Sequence, residues 1–385
     1  MGKRKFAGTV PSIKCFINTG SNLLALDAGS EGLPPSGETL PGRLAAGASP
    51  LTYGQYMGSV VRLLSENSFK VLRKLLKKQL KPTPKLENAS SIQLIAEKHG
   101  ALYSVSRLRM QFDDDARSFA VNCAFSPEQQ AFLKVEVKLL SNLHARFGLQ
   151  YLPLPFVSES APDLMLFIAE WFENYHEFHL SSDTSGIPAI NVWRQDGKTH
   201  FLDSEKTAEL YAQASKILTS CLDSGSFSQI FPWHHAAGDF IVDDSQSPPG
   251  VRLITVRGYR TLLARKAHCK DKMLGSLHFF VNLGMRMRLD RLDGTGELAW
   301  AGPRCLSGVI RGFVEAWESR RKNSDLPKAG DIFSLFLGFS PEERLAFAKV
   351  VAADGQVEAD EGGFLFARLP GHIMELSDAL ENFKS

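Results

Sequence analysis

The sequence predicts an α+β protein in which a small antiparallel β-rich region precedes a mainly helical body and a C-terminal helical appendage. Three observations carry that expectation. Residues 101–112 and 118–125 alternate apolar and polar side chains on either side of Asp113-Asp114-Asp115, as the strands of an antiparallel hairpin do. Farther along, apolar residues recur mostly at three- and four-residue intervals, the period of an amphipathic helix. The 385 residues are 44% hydrophobic and 22% charged, a balance ordinary for a globular chain long enough to bury a core without staples. Disordered, collagen-like and coiled-coil classes are excluded.

Charge and cysteine usage narrow the class further. The 44 basic and 42 acidic residues leave a net charge of +2, so a nucleic-acid role would need a local basic patch. Cys15, Cys123, Cys221, Cys269 and Cys305 lie far apart with no Cys-x-x-Cys pair. Such a set reads as reduced thiols in an intracellular protein. No apolar run approaches the ~18 residues of a membrane span, and no long apolar stretch follows the basic start Met1-Gly-Lys-Arg-Lys5, which argues against secretion. Phe6 stands where a myristoylation signal wants Ser or Thr. The expected location is the cytoplasm.

Residues 1–55 read as a mobile leader, because the first fifty hold eight Gly and five Pro, although Cys15-Phe16-Ile17 and Leu23-Leu24 are apolar enough to dock. From Tyr56, the residues Val61, Leu64, Ser68, Val71, Leu72, Leu75, Leu76 and Leu80 describe one face of a helix that Pro82 and Pro84 stop. Its other face carries Lys70, Arg73, Lys74, Lys77, Lys78, Lys81 and Lys85, a composition suited to contact with anionic lipid, nucleic acid or protein, or simply to solvent. Ile92 to Gly100 reads as a helix closed by glycine. After the hairpin, Ser126-Pro127-Glu128 opens a helix with an N-cap and a first-position proline, whose apolar side is Phe132, Val135, Leu139, Leu140 and Leu143. Residues 164–169 form another strand ending at Glu170-Trp171-Phe172. Helices are expected over 208–222, 273–288 and 307–320, with a short β pair, 239–242 and 251–255, among them. Residues 323–330 read as a linker to a last helical segment.

Small β-rich piece, connector, then a helical body interrupted by a short hairpin: this order resembles the two-lobed protein-kinase-like fold. Residues 118–125 resemble the strand that bears the nucleotide-anchoring lysine, with Asn122 at the lysine position. Glu136, in Lys134-Val-Glu-Val-Lys-Leu-Leu140, falls where the family's helix carries its partner glutamate, and Glu170 falls at the hinge. His234-His-Ala-Ala-Gly-Asp-Phe-Ile-Val-Asp-Asp244 is similar to the catalytic loop of the aminoglycoside and choline phosphotransferases, Asp-x-His-Pro-Gly-Asn followed by three apolar residues. The resemblance covers roughly residues 92–320. It implies a nucleotide site contributed by Asn122, Glu136, Glu170, Thr255 and Arg257, with His234 at the catalytic base position and Asp239 as catalytic residue and metal ligand. The implied cofactor is ATP, with or without Mg2+.

The departures from the family pattern direct the functional expectation. The anchoring lysine is Asn122, the base is His234, and the second metal carboxylate falls on Thr255, with no acid before Asp271. Phosphoryl transfer depends on positioning and on metal and lysine electrostatics, so the expectation is a pseudokinase acting as a binding or regulatory module. The alternative is an active small-molecule phosphotransferase using His234 or Asp239 as base, with His235 beside them. A scaffold whose pocket is filled by side chains is a third class. A rival register makes Asp239 the base and Asp244 the metal ligand. Domains are expected as a leader (1–55), a basic helix and linker (56–88), an N-lobe (89–172), a C-lobe (173–325) and an appendage (326–385).

Other motifs carry less. His176 and His179 have a spacing that zinc sites use, but no third ligand is evident, so they read as surface histidines. Residues 286–296 read as an ion-paired helix end with a glycine-rich turn. Arg257 and Arg260 offer two guanidinium groups able to stand in for a cation. Residues 350–361 keep the glycine and last-ligand spacing of a calcium loop through Gly355 and Glu361, yet Val350 and Ala352 cannot ligate. The segment reads instead as a helix–turn–helix that resembles tellurite-resistance-type helical modules. No Walker pattern occurs.

Overall fold

The computed structural model describes residues 9–26, 51–79, 83–99, 103–113, 115–194, 196–263, 271–355 and 359–384. The chain mixes α and β structure with mostly antiparallel sheets. It divides into two compact units, Met1–Asn142 with Pro153–Glu173, and Leu143–Leu152 with Asn174–Ser385.

The first unit is built on β1 (Ile13–Asn18), β2 (Leu23–Leu26), α1 (Tyr53–Gln79), β3 (Ser91–His99), β4 (Ser104–Phe112), β5 (Asp115–Ala124), α2 (Pro127–Phe147), β6 (Pro155–Ala161) and β7 (Leu164–Glu170). The strands form one sheet in the order β2-β1-β3-β4-β5-β7-β6. Its pairs are antiparallel except β1 with β3. The β4–β5 hairpin is the one the alternation predicts. Phe119, Val121 and Cys123 of β5 join Leu164, Leu166 and Ile168 of β7 in a core that takes in Tyr56, Met57, Val60, Leu64, Leu72 and Leu76 of α1. The period of two along β5 turns Asn122 to the other face.

Four expectations change here. The leader is not wholly mobile: Cys15 and Ile17 are buried and pair in register with Leu94 and Ala96, while residues 27–50 lie outside the described residues. Ile92 to His99 is a strand, because an apolar run this short fits either period and ladders to β1 and β4 on both edges decide it; Gly100 lies outside the described residues. The α1 helix is two arms, broken where Glu66 is extended and Asn67, Ser68 and Phe69 take positive φ, so Ser68 is exposed and not on the apolar face. Leu80, Lys81 and Pro82 lie outside the described residues. On α2, Ser126 caps as expected through Gln129 N–H at 3.2 Å. The buried seam, however, is Leu133, Glu136, Leu140 and Leu143, and Val135 is 52% exposed.

The second unit continues with β8 (His176–Ser182), β9 (Pro188–Trp193), β10 (Thr199–Phe201), α3 (Ser204–Ser220), β11 (Ser228–Ile230), β12 (Ala237–Asp243), β13 (Gly250–Leu253), β14 (Tyr259–Thr261), α4 (Lys272–Arg286), β15 (Leu289–Arg291), β16 (Leu298–Trp300), α5 (Cys305–Arg321), α6 (Ala329–Gly338), α7 (Pro341–Asp354) and α8 (Ala359–Lys384). The expected helices form, but the region is not mostly helical. The β12–β13 hairpin is the end of a five-stranded sheet, β10-β9-β8-β12-β13. Its β8 was hidden because His176 to Ser182 is polar by composition. Helices α3 and α5 pack tightly: a Cβ on Gly308 or Gly312 would collide with the carbonyl oxygens of Ala208 or Ala212, so only glycine permits the approach. The last three helices rest on α4 and α5.

Segment 286–296 is ion-paired, and helices α7 and α8 lie on either side of residues 356–358. Arg286 pairs with Glu361, Arg288 with Glu375 and Arg291 with Asp360, while Ser340 and Glu343 form a reciprocal cap on α7. Residues 356–358, within the former calcium-loop spacing, lie outside the described residues, and Glu361 is committed to Arg286. Cys269 and Asp114 also lie outside them.

Candidate functional site

The site begins with a strand and the loop that feeds it. Trp233 is buried and meets Phe240 edge-on at 6.4 Å, which anchors the loop His234–Ala236 above β12. Asp239, near the start of β12, is 1% exposed. Its backbone C=O accepts the Ile254 N–H at 2.8 Å, which carries the chain beyond β13 back past the carboxylate. Thr255 and Val256 follow, and Arg257 then turns onto Asp239.

Both carboxylate oxygens are engaged. The Arg257 guanidinium donates to Oδ1 from Nε at 3.1 Å and Nη2 at 2.7 Å, and the His234 backbone N–H donates to Oδ2 at 2.8 Å. Burial pushes the Asp239 carboxyl above its ordinary value, and Arg257 and the His234 N–H offset that push only in part. His234, through its backbone N–H, Asp239 and Arg257 are thus brought together, with Thr255 in the adjoining segment. What joins them is a closed ion pair. Arg260 takes no part in it; its guanidinium lies 5.3 Å from the Phe231 ring.

Mg2+ does not fit this donor set. An oxygen-seeking cation would have to displace a guanidinium from Oδ1 and a backbone N–H from Oδ2, and Thr255 offers only a neutral hydroxyl. The first acid of the chain after it, Asp271, caps α4 by accepting from Leu274 N–H at 3.0 Å. The rival register meets a second carboxylate that is already engaged. Asp244 lies five residues beyond Asp239, roughly 16 Å along an extended strand. It is held there by His200 at 2.7 Å and Arg194 at 3.2 Å.

A second constellation supports the loop from below. His235 is fully buried; its Nε2 shares a 3.0 Å hydrogen bond with the Tyr211 hydroxyl of α3. Its Nδ1 lies 3.1 Å from Asp290 Oδ2, off the line of a hydrogen bond. The same oxygen accepts the Ala236 N–H at 2.7 Å. Burial holds His235 below its ordinary value against the pull of Asp290, and the ring positions the loop. His179 is not a surface histidine: it is 6% exposed and its Nδ1 meets the Ala236 carbonyl at 2.9 Å. His176 is half-buried. Tyr211, Asp290 and His179 were missed in the sequence because each reaches the loop from a remote element.

The remaining expected residues belong to the first unit. Asn122 is 8% exposed in the middle of β5, between Val105 of β4 and Phe167 of β7. Glu136 is 1% exposed on the inner seam of α2. Glu170 ends β7 with an exposed side chain, and its N–H donates to Leu154 O at 3.1 Å. Among the described residues no group of three or more His, Cys, Asp or Glu is gathered to hold a metal ion, and no helix is long and apolar enough to cross a membrane. No protein-family model and no curated protein sequence matches the chain.

Proposed function

We propose that the chain is a protein-kinase-like pseudoenzyme, a binding or regulatory module that does not transfer phosphoryl groups. The single observation that carries this reading is the Arg257–Asp239 pair at 2.7 Å. The one carboxylate left at the family's metal position already holds a cation that belongs to the chain. Phosphoryl transfer needs a metal placed between carboxylates and phosphates, and the arrangement here neutralises Asp239 without one. Support for the kinase-like reading comes from element order in the first unit. The hairpin strand with Asn122, the helix with Glu136 and the strand ending in Glu170 follow one another as the resemblance implies. Any nucleotide the module takes is bound without Mg2+. The four described cysteines, Cys15, Cys123, Cys221 and Cys305, are free and buried, in keeping with a cytoplasmic place.

Thermal unfolding with ATP, with and without Mg2+, tests the reading. A ligand present at about 100 times its dissociation constant adds roughly 2.7 kcal/mol to the native state, enough to move the midpoint. The expected result is a shift that Mg2+ does not increase, with no consumption of ATP. A Mg2+-dependent shift that Asp239→Ala abolishes, together with turnover, would establish a working phosphotransferase instead. No shift under either condition removes nucleotide from the proposal and leaves a module that binds a partner.

A further inference from the structure

The break in α1 has a chemical consequence. Asn67 and Ser68 at the break, with Lys70, Arg73, Lys74 and Lys77 of the second arm, line an open depression of about 370 Å³. The four cations stand at i, i+3, i+4 and i+7, so they fall on one helical face and span roughly 10 Å along the axis. Below them Val71, Leu72, Leu75 and Leu76 are buried in the sheet core, which fixes the cationic face outward.

Two of the cations are held in place. Arg73 donates from Nε to Ser68 O at 2.9 Å and from Nη2 to Glu87 at 2.6 Å, which fixes the plane of its guanidinium beside the break. Lys74 pairs with Glu159. No described carboxylate pairs with Lys70 or Lys77, so the depression keeps an excess of positive charge.

We infer that this depression binds a compact soluble anion carrying two or three linked phosphate groups. The row of four cations, roughly 10 Å long, matches the length and charge of such an anion, which can lie along the helix without an enclosing pocket. A bilayer is disfavoured because an interfacial helix must insert its apolar face, and here that face is already in the core. A nucleic-acid strand is disfavoured because such interfaces bury more than ~600 Å² of protein surface, against a stripe only about two helical turns long in a chain of net charge +2. The inference is independent of Arg257 and Asp239.

The test is calorimetric titration of the full chain with tripolyphosphate at low ionic strength. Three proteins are compared: wild type, Lys70→Glu/Lys77→Glu, and the charge-matched control Lys134→Glu/Lys138→Glu on exposed positions of α2. Thermal unfolding checks that all three fold. The inference expects the stripe variant to bind roughly tenfold more weakly or worse, given two lost charge-assisted contacts, and the control to bind as wild type does. It is overturned if wild type does not bind, or if both variants lose affinity equally or not at all. It is also overturned if sedimentation captures the chain on phosphatidylcholine vesicles containing phosphatidylserine, or a gel shift on duplex DNA, while tripolyphosphate binds neither variant nor wild type.

Discussion

The charged groups of the second unit and those of α1 follow opposite designs. Around α4 and β12, guanidinium and carboxylate are taken out of water together: the side chains of Arg286 and Glu361 are 4% and 1% exposed, and that of Asp239 is 2% exposed against 25% for Arg257. On α1, Lys74 stands 47% exposed and pairs with Glu159, amid like-charged neighbours. The difference lies in solvation. A charge stripped of water must find its counter-ion within the fold, and having found it is no longer offered to a ligand. A charge left in water contributes little to stability and remains available.

The comparison breaks most visibly where both partners are buried. Arg286 donates to Glu361 at 2.8 Å and also reaches the Gly355 carbonyl. Arg286→Ala leaves Glu361 buried without its counter-ion and should cost about 3–5 kcal/mol in urea unfolding. Adding Glu361→Gln should recover part of that loss. A cost below about 1 kcal/mol, the value of an exposed pair, would mean that burial does not set the scale.

A smaller effect separates burial from pairing at Asp239. Its carboxyl is raised in the folded state because burial outweighs Arg257. A carboxyl raised on folding contributes stability that is fully present below its unfolded value, near 3.9, and is lost as pH rises through the folded value. Asn does not titrate. The stability of Asp239→Asn relative to wild type should therefore improve between about pH 4 and pH 7, read from unfolding curves at both. A decline over the same window would mean that Arg257 dominates and the pair is a net gain.

The sequence made one half of this comparison legible and hid the other. The lysine stripe was readable because a helix repeats its face every three or four residues, and the pattern survives the break at Asn67. The break itself was not, since Asn-Ser-Phe carries no glycine or proline to announce positive φ. Asp239 and Arg257 were legible as neighbours of a motif. Their pairing was not, because it depends on β13 bringing Ile254 against the Asp239 carbonyl. Tyr211, Asp290 and Glu361 were out of reach for the same reason, being joined to their partners by topology across 24, 55 and 75 residues of chain. Leader and β3 failed differently: strands beside a Gly/Pro-rich stretch or with both faces covered lose the alternation that marks a strand.

The smallest predicted effect has an informative sign. Lys70 with Arg73 and Lys74, and Lys77 with Arg73 and Lys74, are like-charge pairs at helical spacings of three and four, each costing on the order of 0.2–0.5 kcal/mol. If the stripe serves the fold, reversing Lys70 and Lys77 to Glu should destabilise. If it is kept for an anion, the reversal should leave stability unchanged or raise the midpoint slightly, most at low salt, where surface repulsion is least screened. The second outcome is expected, because the apolar side of that arm is already buried and the reversed residues gain Arg73 and Lys74 as partners. Should the reversal raise the midpoint although Lys77 lies in the last turn, where a cation favours the helix, the stripe is kept at a cost to its own helix, and an anion in the depression explains it: its charge would relieve the same repulsion that the substitutions remove.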